Sequence, residues 1–600
     1  MPRQRLRGRY LLFSLLSALS FIPSLALSYT MNSKSVRLVW HRRDLRLHDN
    51  ILYSKPEPNE TIVGVYIFDD QDFLPRPSTC RPNEWDTTLV GPHAARILLE
   101  SVEAFRKSLR SIGGELLVRS GTPATIIPNL VKEIGATRVY WNEEPGIYEM
   151  ATSKEVYQRL QQEIPNASLH TFMQYTLYHP DDLPTDEQEW QRLAQPKQKR
   201  KYKKKRAKFP SPEPWPENLV NVTLERWEGM PRIMGDFRTA ARMKTAPRSC
   251  LAAPTVLQTP ETLASINSGD IPTLEEVLSP LRQSLRPILG MSSSQIDKVI
   301  SNALARQQDL GFQGETDSLI LRGGEEQGLD HLQKFVEKYA ATAVRNLACV
   351  SNNQSSRLSH YLAFGCLSPR RIVEEAQAKG NECNWIISHM TMRDFFLYTC
   401  FASGSQFYQL KGIPVSKTAA ESIQWSSLDD ENAQSNFQRW ALGDSGLPLI
   451  DAAMIELLET GYCSNRVRQN AASVLTKDLG IDWRAGAEWF QFLLQDHCVG
   501  ANWGNWLYFS GVGPDPKQRH FRTVSQALRY DSQGAYVKQW IPDLAQVQGD
   551  ESFLRPWDFD TVAWTKPLVD PKTQYTWQDL QRLEDTGKLV EELTISEEQE

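Results

Sequence analysis

VRLVW (36–40), IVGVYIF (62–68), ELLVR (115–119), RVYW (138–141) and SLHTF (168–172) decide the fold of this chain. Most of these runs are apolar at consecutive rather than alternate positions and rich in β-branched and aromatic side chains, as in strands covered on both faces. Between the second and third, Leu98, Val102, Phe105, Leu109 and Ile112 recur at spacings of four and three. That spacing predicts an amphipathic helix, closed by Gly113-Gly114. A second helix is predicted over Pro123 to Ile134. Strand and helix in alternation predict an α/β domain over residues 35–173, a doubly wound parallel sheet with helices on both faces.

Outward from that domain the pattern changes. Residues 174–275 are rich in Pro, Gln and charge and read as a linker, with the basic run KQKRKYKKKRAK (197–208) in the middle. Such a run serves as a nuclear-import signal, as a phosphate-binding strip, or as the solvated surface of a linker, and the linker reading is favoured. Residues 276–545 show helical periodicity alone, so an all-α domain is expected there. The stretch 546–600 reads as an acidic C-terminal tail. At the other end, Arg3, Arg5, Arg7 and Arg9 precede an apolar run from Leu11 to Leu19, so residues 1–30 have the layout of a secretory signal, or lie upstream of a true start at Met31.

Composition narrows the class. Six hundred residues with 40% apolar and 23% charged side chains are globular values for more than one domain, and exclude collagen-like, mucin-like or wholly disordered chains. Lys and Arg (67) against Asp and Glu (72) leave a charge of −5, so nucleic-acid binding requires a local basic patch. The 8 cysteines form no CxxC pair and no cluster at metal-ligand spacing, so neither a metal site nor a disulfide framework is expected. Free thiols suit a reducing compartment, which places nucleus or plastid above secretion. No later stretch is apolar enough to span a bilayer, and no membrane association is expected of the mature form. The 17 Trp, several set among Asn, Arg and Gly, point to stacking or redox work.

The unusual chemistry concentrates in SNRVRQN (464–470), DLGIDWRAGAEWF (478–490) and DHCVGANWGNW (496–506). Arg466, Arg468, Asn465 and Asn470 on one helix suit an anionic or amide-edged ligand, held by charge-assisted and paired hydrogen bonds. Each residue alone would be read as a structural ion pair. Beside the Gly-rich Trp segment they read as a cofactor pocket.

These segments resemble the photolyase and cryptochrome family, and within it the cryptochrome DASH branch. The resemblance rests on WHRRDLRLHDN (40–50), SSRLSHYLAFGCLSPR (355–370), MRDFF (392–396), GDSGLPLIDAAM (443–454), GYCSNRVRQNAASVLTKDLGIDWR (461–484) and NWGNW (502–506), and covers roughly residues 35–545. It implies FAD in the all-α domain and methenyltetrahydrofolate as the antenna pigment in the α/β domain. By position it implies a phosphate-side loop of Ser355, Ser356, Arg357, Leu358 and Ser359, preceded by Tyr339. It also implies flavin contacts from Arg393, Asn465, Arg468, Asp496 and Cys498, with Asn502 opposite the flavin N5. Trp506, Trp483 and Trp425 match the family's electron-transfer row, flavin to surface. Glu149 falls where the family places a carboxylate on the folate ring, and reads equally well as an acid compensating a helix dipole.

The departures matter as much. Repair enzymes of this family carry a Glu and, three residues on, a Trp before the RDFF segment; here those positions are His389 and Met392. Base stacking on an aromatic ring is worth roughly 1–3 kcal/mol, and a thioether does not supply it. Gln469 replaces a Met common in double-strand photolyases, and Cys498 replaces the family's second flavin-side acid. The expectation is therefore a FAD-dependent blue-light photoreceptor whose flavin is photoreduced through the Trp row and which acts on a signalling protein. The alternative is a photolyase for cyclobutane pyrimidine dimers in single-stranded DNA. In either case DNA or RNA, preferably single-stranded, is an expected partner.

Overall fold

The computed structural model describes residues 35–194, 227, 229–308, 321–342, 355–379, 384–415, 420–515, 517–546, 553–558 and 564–586. Five strands, β1 (Val36–His41), β2 (Thr61–Phe68), β3 (Leu116–Ser120), β4 (Arg138–Asn142) and β5 (Ser168–Phe172), form one sheet of order β3-β2-β1-β4-β5. Every pairing is parallel, with Val36 opposite Thr61, Arg37 opposite Arg138, Gly64 opposite Leu116 and Arg138 opposite Ser168. β1 and β2 are buried along their whole length, which is why their sequences lack alternation.

Helices α1 (Pro92–Ser111), α2 (Pro123–Ile134) and α3 (Ile147–Glu163) make the crossovers and complete the predicted doubly wound arrangement. α1 starts a turn and a half before the periodic residues, because Pro92 occupies the first helical position, where its fixed φ is favourable. The strand order reverses between β1 and β4. Ligand crevices in open parallel sheets form at such a point, beyond the carboxyl ends of the strands. Here that position holds Arg42 and Arg43 after β1 and Glu143 and Glu144 after β4.

Residues 174–275, expected as a linker, are in large part packed structure. They contain α4 (Glu187–Ala194) and α5 (Met234–Lys244), which lie against each other. Trp190, Trp227 and Phe237 are buried in one apolar cluster with Phe395, Tyr398 and Phe401. Further on, the backbone N–H of Val118 donates to the Ser268 carbonyl (2.8 Å), so this segment caps the exposed edge of β3. The polar composition hid a few large aromatic anchors. The basic run 197–208 lies outside the described residues, as do the N-terminal segment and residues 587–600. Much of the stretch expected as an acidic tail is instead packed: the Trp564 indole N–H donates to the Gly446 carbonyl (2.9 Å), and Tyr575 is buried with Val524.

The helical region opens at α6 (Leu274–Arg282), capped by a reciprocal Thr273–Glu276 capping box. The helices that build the site are α7 (Asn384–Ser403), α8 (Pro448–Thr460), α9 (Asn465–Ser473), α10 (Trp483–Leu493) and α11 (Val499–Ser510). α11 packs between α7 and α10.

Several of the motifs turn out to be structural ties. Asp49 pairs with Arg370 (2.8 Å) across the two parts of the chain, and Arg46 donates to the Gly365 carbonyl (2.8 Å). Asp394 of MRDFF accepts from the N–H groups of Leu177 (2.9 Å) and Tyr178 (2.8 Å). Asp451 of GDSGLPLIDAAM accepts from Ser445 and Gly446. Among the described residues no helix is long and apolar enough to cross a membrane, and no group of His, Cys, Asp and Glu could hold a metal ion.

Candidate flavin and antenna sites

α8 ends at Gly461, whose φ of +72° terminates the helix and turns Tyr462 and Cys463 inward. α9 then carries Arg468 back over this turn. Its guanidinium donates to the Cys463 carbonyl (2.8 Å) and to Asp496 (3.0 Å). Burial would raise the Asp496 carboxyl; the adjacent Arg468 and the Ser359 hydroxyl instead hold it below its usual range. The Arg357 and Arg468 guanidiniums lie 4.9 and 5.8 Å from the centre of the Tyr462 ring. Tyr462 also donates its hydroxyl hydrogen bond to Ser355 (3.0 Å).

The expected phosphate-side loop is thus brought together with Arg468 and Asp496, although more than a hundred residues separate them. Arg357 holds φ of +46°, a conformation that costs a non-glycine residue energy and that concentrates at ligand-binding loops. His331 Nε2 bonds the Ser356 carbonyl (2.8 Å), and Leu358 leads into the short helix Ser359–Ala363. Arg357 and Leu358 are buried, Ser355 and Ser359 exposed. Asn465 stands exposed at the first position of α9, apart from the Arg468–Asp496 pair. The Tyr339 side chain lies outside the described residues.

α9 passes into a π-helical turn at Val474–Asp478, and Gly480 (φ +63°) reverses the chain before Asp482 caps α10. Trp483 is therefore the first residue of α10, fully buried, with its indole N–H on the Leu410 carbonyl (3.1 Å). Trp506 of α11 lies over Gly486, where a Cβ would come within 2.2 Å of the ring. Half-buried Trp425 precedes Ser426, whose N–H donates to the Gly480 carbonyl (2.7 Å), which sets Trp425 beside the start of α10. The Asn502 amide N–H donates to the Ala487 carbonyl (2.9 Å), turning its oxygen away from α10.

Two cavities lie beside Glu149, the residue expected at an antenna pigment. One, of about 670 Å3 with open solvent included, is lined at the sheet's reversal point by Trp40, Arg42, Arg43, Tyr66, Asp72 and Glu149 among others. A second, of about 310 Å3, shares Arg43, Glu144 and Glu149 and reaches Arg393 and Cys498. Glu149 folds back over Gly146, whose φ of +121° is a conformation that favours glycine. Burial pushes the Glu149 carboxyl up, and burial with Asp69 pushes that of Asp72 to about 7. Arg393 is occupied by the backbone carbonyls of Tyr175 and Leu362 (3.2 Å for the latter). Arg393 on α7 and Cys498 at the start of α11, expected as flavin contacts, thus line the smaller cavity and are not joined to the Arg468–Asp496 pair, while the Ser355–Ser359 loop lines neither cavity. Tyr462, Arg43 and Glu144 were not singled out in the sequence, although Tyr462 stands within the GYCSN motif and the other two flank strand ends.

Residues 385–582 match the family description "FAD binding domain of DNA photolyase", and residues 37–215 match "DNA photolyase". A Cryptochrome DASH from Gloeobacter violaceus is 33% identical over 86% of this chain and 87% of its own length. One from Arabidopsis thaliana, named as chloroplastic/mitochondrial, is 30% identical over 87% of this chain and 78% of its own. A crystal structure of a Synechocystis cryptochrome superposes with a TM-score of 0.68 at 28% identity, covering 90% of this chain and 97% of that one. The protein is thus a flavoprotein with an FAD-binding helical domain. The chain belongs to the photolyase/cryptochrome family, with cryptochrome DASH proteins as its relatives at this level of identity.

The residues present suit FAD. Two guanidiniums, Arg357 and Arg468, stand over Tyr462, and such planar donor groups suit the oxygens of a pyrophosphate. Ser464 Oγ and His497 Nδ1, each adjacent to this cluster in sequence, are buried without hydrogen-bond partners, as polar atoms kept for a ligand would be.

Proposed function

We propose that this protein is a FAD-dependent blue-light photoreceptor of the cryptochrome type. Bound FAD supplies light absorption and one-electron chemistry. Ser355, Ser356, Arg357, Leu358 and Ser359 would hold its phosphate side and Arg468 and Asp496 its inner edge, and the Asn502 oxygen would be free to accept a hydrogen bond from N5 once that atom is protonated. Trp506, Trp483 and Trp425 are the electron donors in order toward the surface. Indoles lose an electron more readily than other uncharged side chains, and the two inner rings are shielded from water.

The observation that carries the photoreceptor reading lies on α7. His389 is exposed with its ring 5.2 Å from Trp385, edge on, and Met392 packs at the margin of the Phe395 cluster. These are the positions at which the family's repair enzymes grip a pyrimidine dimer with Glu and Trp. A flipped dimer would meet neither a hydrogen-bonding carboxylate nor a stacking indole here. The second reading, repair of dimers in single-stranded DNA, is favoured by the neutral amide of Asn502. The cavity beside Glu149 suits a planar heterocycle such as methenyltetrahydrofolate as antenna, between Trp40, Tyr66 and paired carboxylates. A plastid location is supported by the chloroplastic/mitochondrial plant relatives, a nuclear one only by the basic run.

The test combines two measurements on one sample. Purified protein with reductant and blue light is given a single-stranded oligonucleotide containing one cyclobutane dimer. Flavin photoreduction without dimer loss is expected; light-dependent loss over many turnovers would replace the photoreceptor reading with the enzymatic one.

A further inference from the structure

We propose that Trp503 is a fourth electron donor, a branch of the tryptophan row that draws the positive hole from Trp483 away from the Trp425 route. The inference rests on the tryptophan row proposed above. Its ground is a contact that the linear row does not contain. The Trp483 and Trp503 rings meet edge to face with centroids 5.6 Å apart and planes at 84°. Trp503 in turn meets Tyr408 at 4.9 Å and 64°. These are van der Waals separations, within which an electron crosses without an intervening bridge.

The polar surroundings of Trp503 suit a lasting cation. Its indole N–H donates to Gln491 Oε1 (2.9 Å), and the Gln491 amide is itself held by the Thr88 carbonyl (2.9 Å). An amide oxygen stabilises a positive indole through its dipole but is too weak a base to remove the proton. The step is therefore a pure electron transfer. One electron passes from the Trp503 π-system to oxidised Trp483, which returns to its closed-shell state; no bond forms or breaks. The light-excited flavin is the primary oxidant.

The hole stops at Trp503. Oxidation of Tyr408 near neutral pH would require release of its phenolic proton, and the hydroxyl is set against the Cys400 thiol (3.9 Å) and the Ile147 backbone, neither of them a base. Burial also pushes the phenol up, which opposes proton loss. Trp440 is a poorer branch. It meets Trp506, not Trp483, at 6.2 Å, and continues into Phe437 and Phe490, which are not oxidisable under these conditions.

Flash-induced absorbance of oxidised tryptophan in the flavin-loaded protein tests the branch. In Trp425→Phe the hole should persist on Trp503, and adding Trp503→Phe should shorten its lifetime about tenfold, the change produced by one decade in an equilibrium or rate. Equal decay in the single and double variants would overturn the proposal. Trp483→Phe separates the two readings: decay like wild type there would sink the row itself, whereas a collapsed signal with an unaffected Trp425→Phe/Trp503→Phe pair would sink only the branch. Gln491→Glu provides a second route that keeps Trp503 in place. A carboxylate would take the indole proton, so the tryptophan cation spectrum should convert to that of the neutral radical, and an unchanged spectrum would count against Trp503 as the resting place of the hole.

Discussion

The guanidinium of Arg468 stands 3.0 Å from the carboxylate of Asp496, which follows it by 28 residues, and the pair locks the turn after α8 to the start of α11. Two further members of the expected flavin cradle are positioned by it: Tyr462 lies under the same guanidinium, and Ser359 reaches the same carboxylate.

Asp496→Asn is expected to loosen this region, because removing one member of a buried pair strands the other. The Asp496 side is buried and the Arg468 side partly exposed, so the cost falls below the roughly 3–5 kcal/mol of fully buried pairs, seen as a lower urea midpoint together with reduced flavin content. The Asp496 carboxyl is held below its usual range, so its contribution is present above the unfolded carboxylate pKa and lost as pH falls through the folded one. Wild-type stability should therefore drop on acidification below about pH 4, and the variant should show less of that drop.

Trp483→Phe is expected to slow light-driven flavin reduction about tenfold or more, equivalent to at least one decade in rate. Trp483 is buried at the head of α10 and its N–H is already satisfied by Leu410. Phenylalanine preserves most of the packing, so an undiminished rate with intact folding would exclude Trp483 from the row.

The double substitution His389→Glu and Met392→Trp is expected to tighten binding of a dimer-containing single-stranded oligonucleotide. A stacking contact of about 1–3 kcal/mol corresponds to roughly 5- to 150-fold in affinity. Comparison with a dimer-free oligonucleotide isolates the effect. No preferential gain would mean that α7 does not face a lesion pocket.

Asp72 lines the antenna cavity with its carboxyl pushed to about 7 by burial. A raised acid contributes stability below its unfolded pKa and loses that contribution as pH rises through the folded value. Asp72→Asn should remove this loss, so its melting temperature should exceed that of wild type at pH 8 and approach it at pH 4. Parallel curves for the two proteins would contradict the assignment.

Trp190→Ala tests whether residues 174–275 are structural. Truncating a buried Trp typically costs about 3–5 kcal/mol, whereas a solvated linker would register almost nothing. A fall in thermal stability is expected, because Trp190 stacks on Phe237 (5.7 Å) inside the cluster shared with α7.

What was legible in the chain follows from local physics. Continuous apolar runs marked β1 to β4 because a parallel sheet buries both faces of its strands, and β5 ends as predicted at Phe172. The spacing from Leu98 to Ile112 marked α1, and the α2 boundaries fall on Pro123 and Ile134 as expected. The motifs pointed to a flavin protein, since residue types at fixed local offsets survive in sequence.

The packing of 174–275 was not legible. Three aromatic anchors among Pro, Gln and charge have no periodicity, and their worth appears only when Phe395, Tyr398 and Phe401 are beside them. Nor could the chain reveal that Asp394 and Asp451 satisfy backbone N–H groups; as letters they look the same as an acid kept for a ligand.

The sequence by itself determined the strand and helix periods, the family, the cofactor and the identities of the indoles proposed above as electron donors. Only the tertiary structure decided which of them touch. Trp503 and Trp506 sit three residues apart on α11, yet Trp503 meets Trp483 and Trp506 meets Trp440. That division is made by the packing of α11 on α10 and by the space left at Gly486. Both depend on side chains far apart in the chain, which no local pattern of residues encodes.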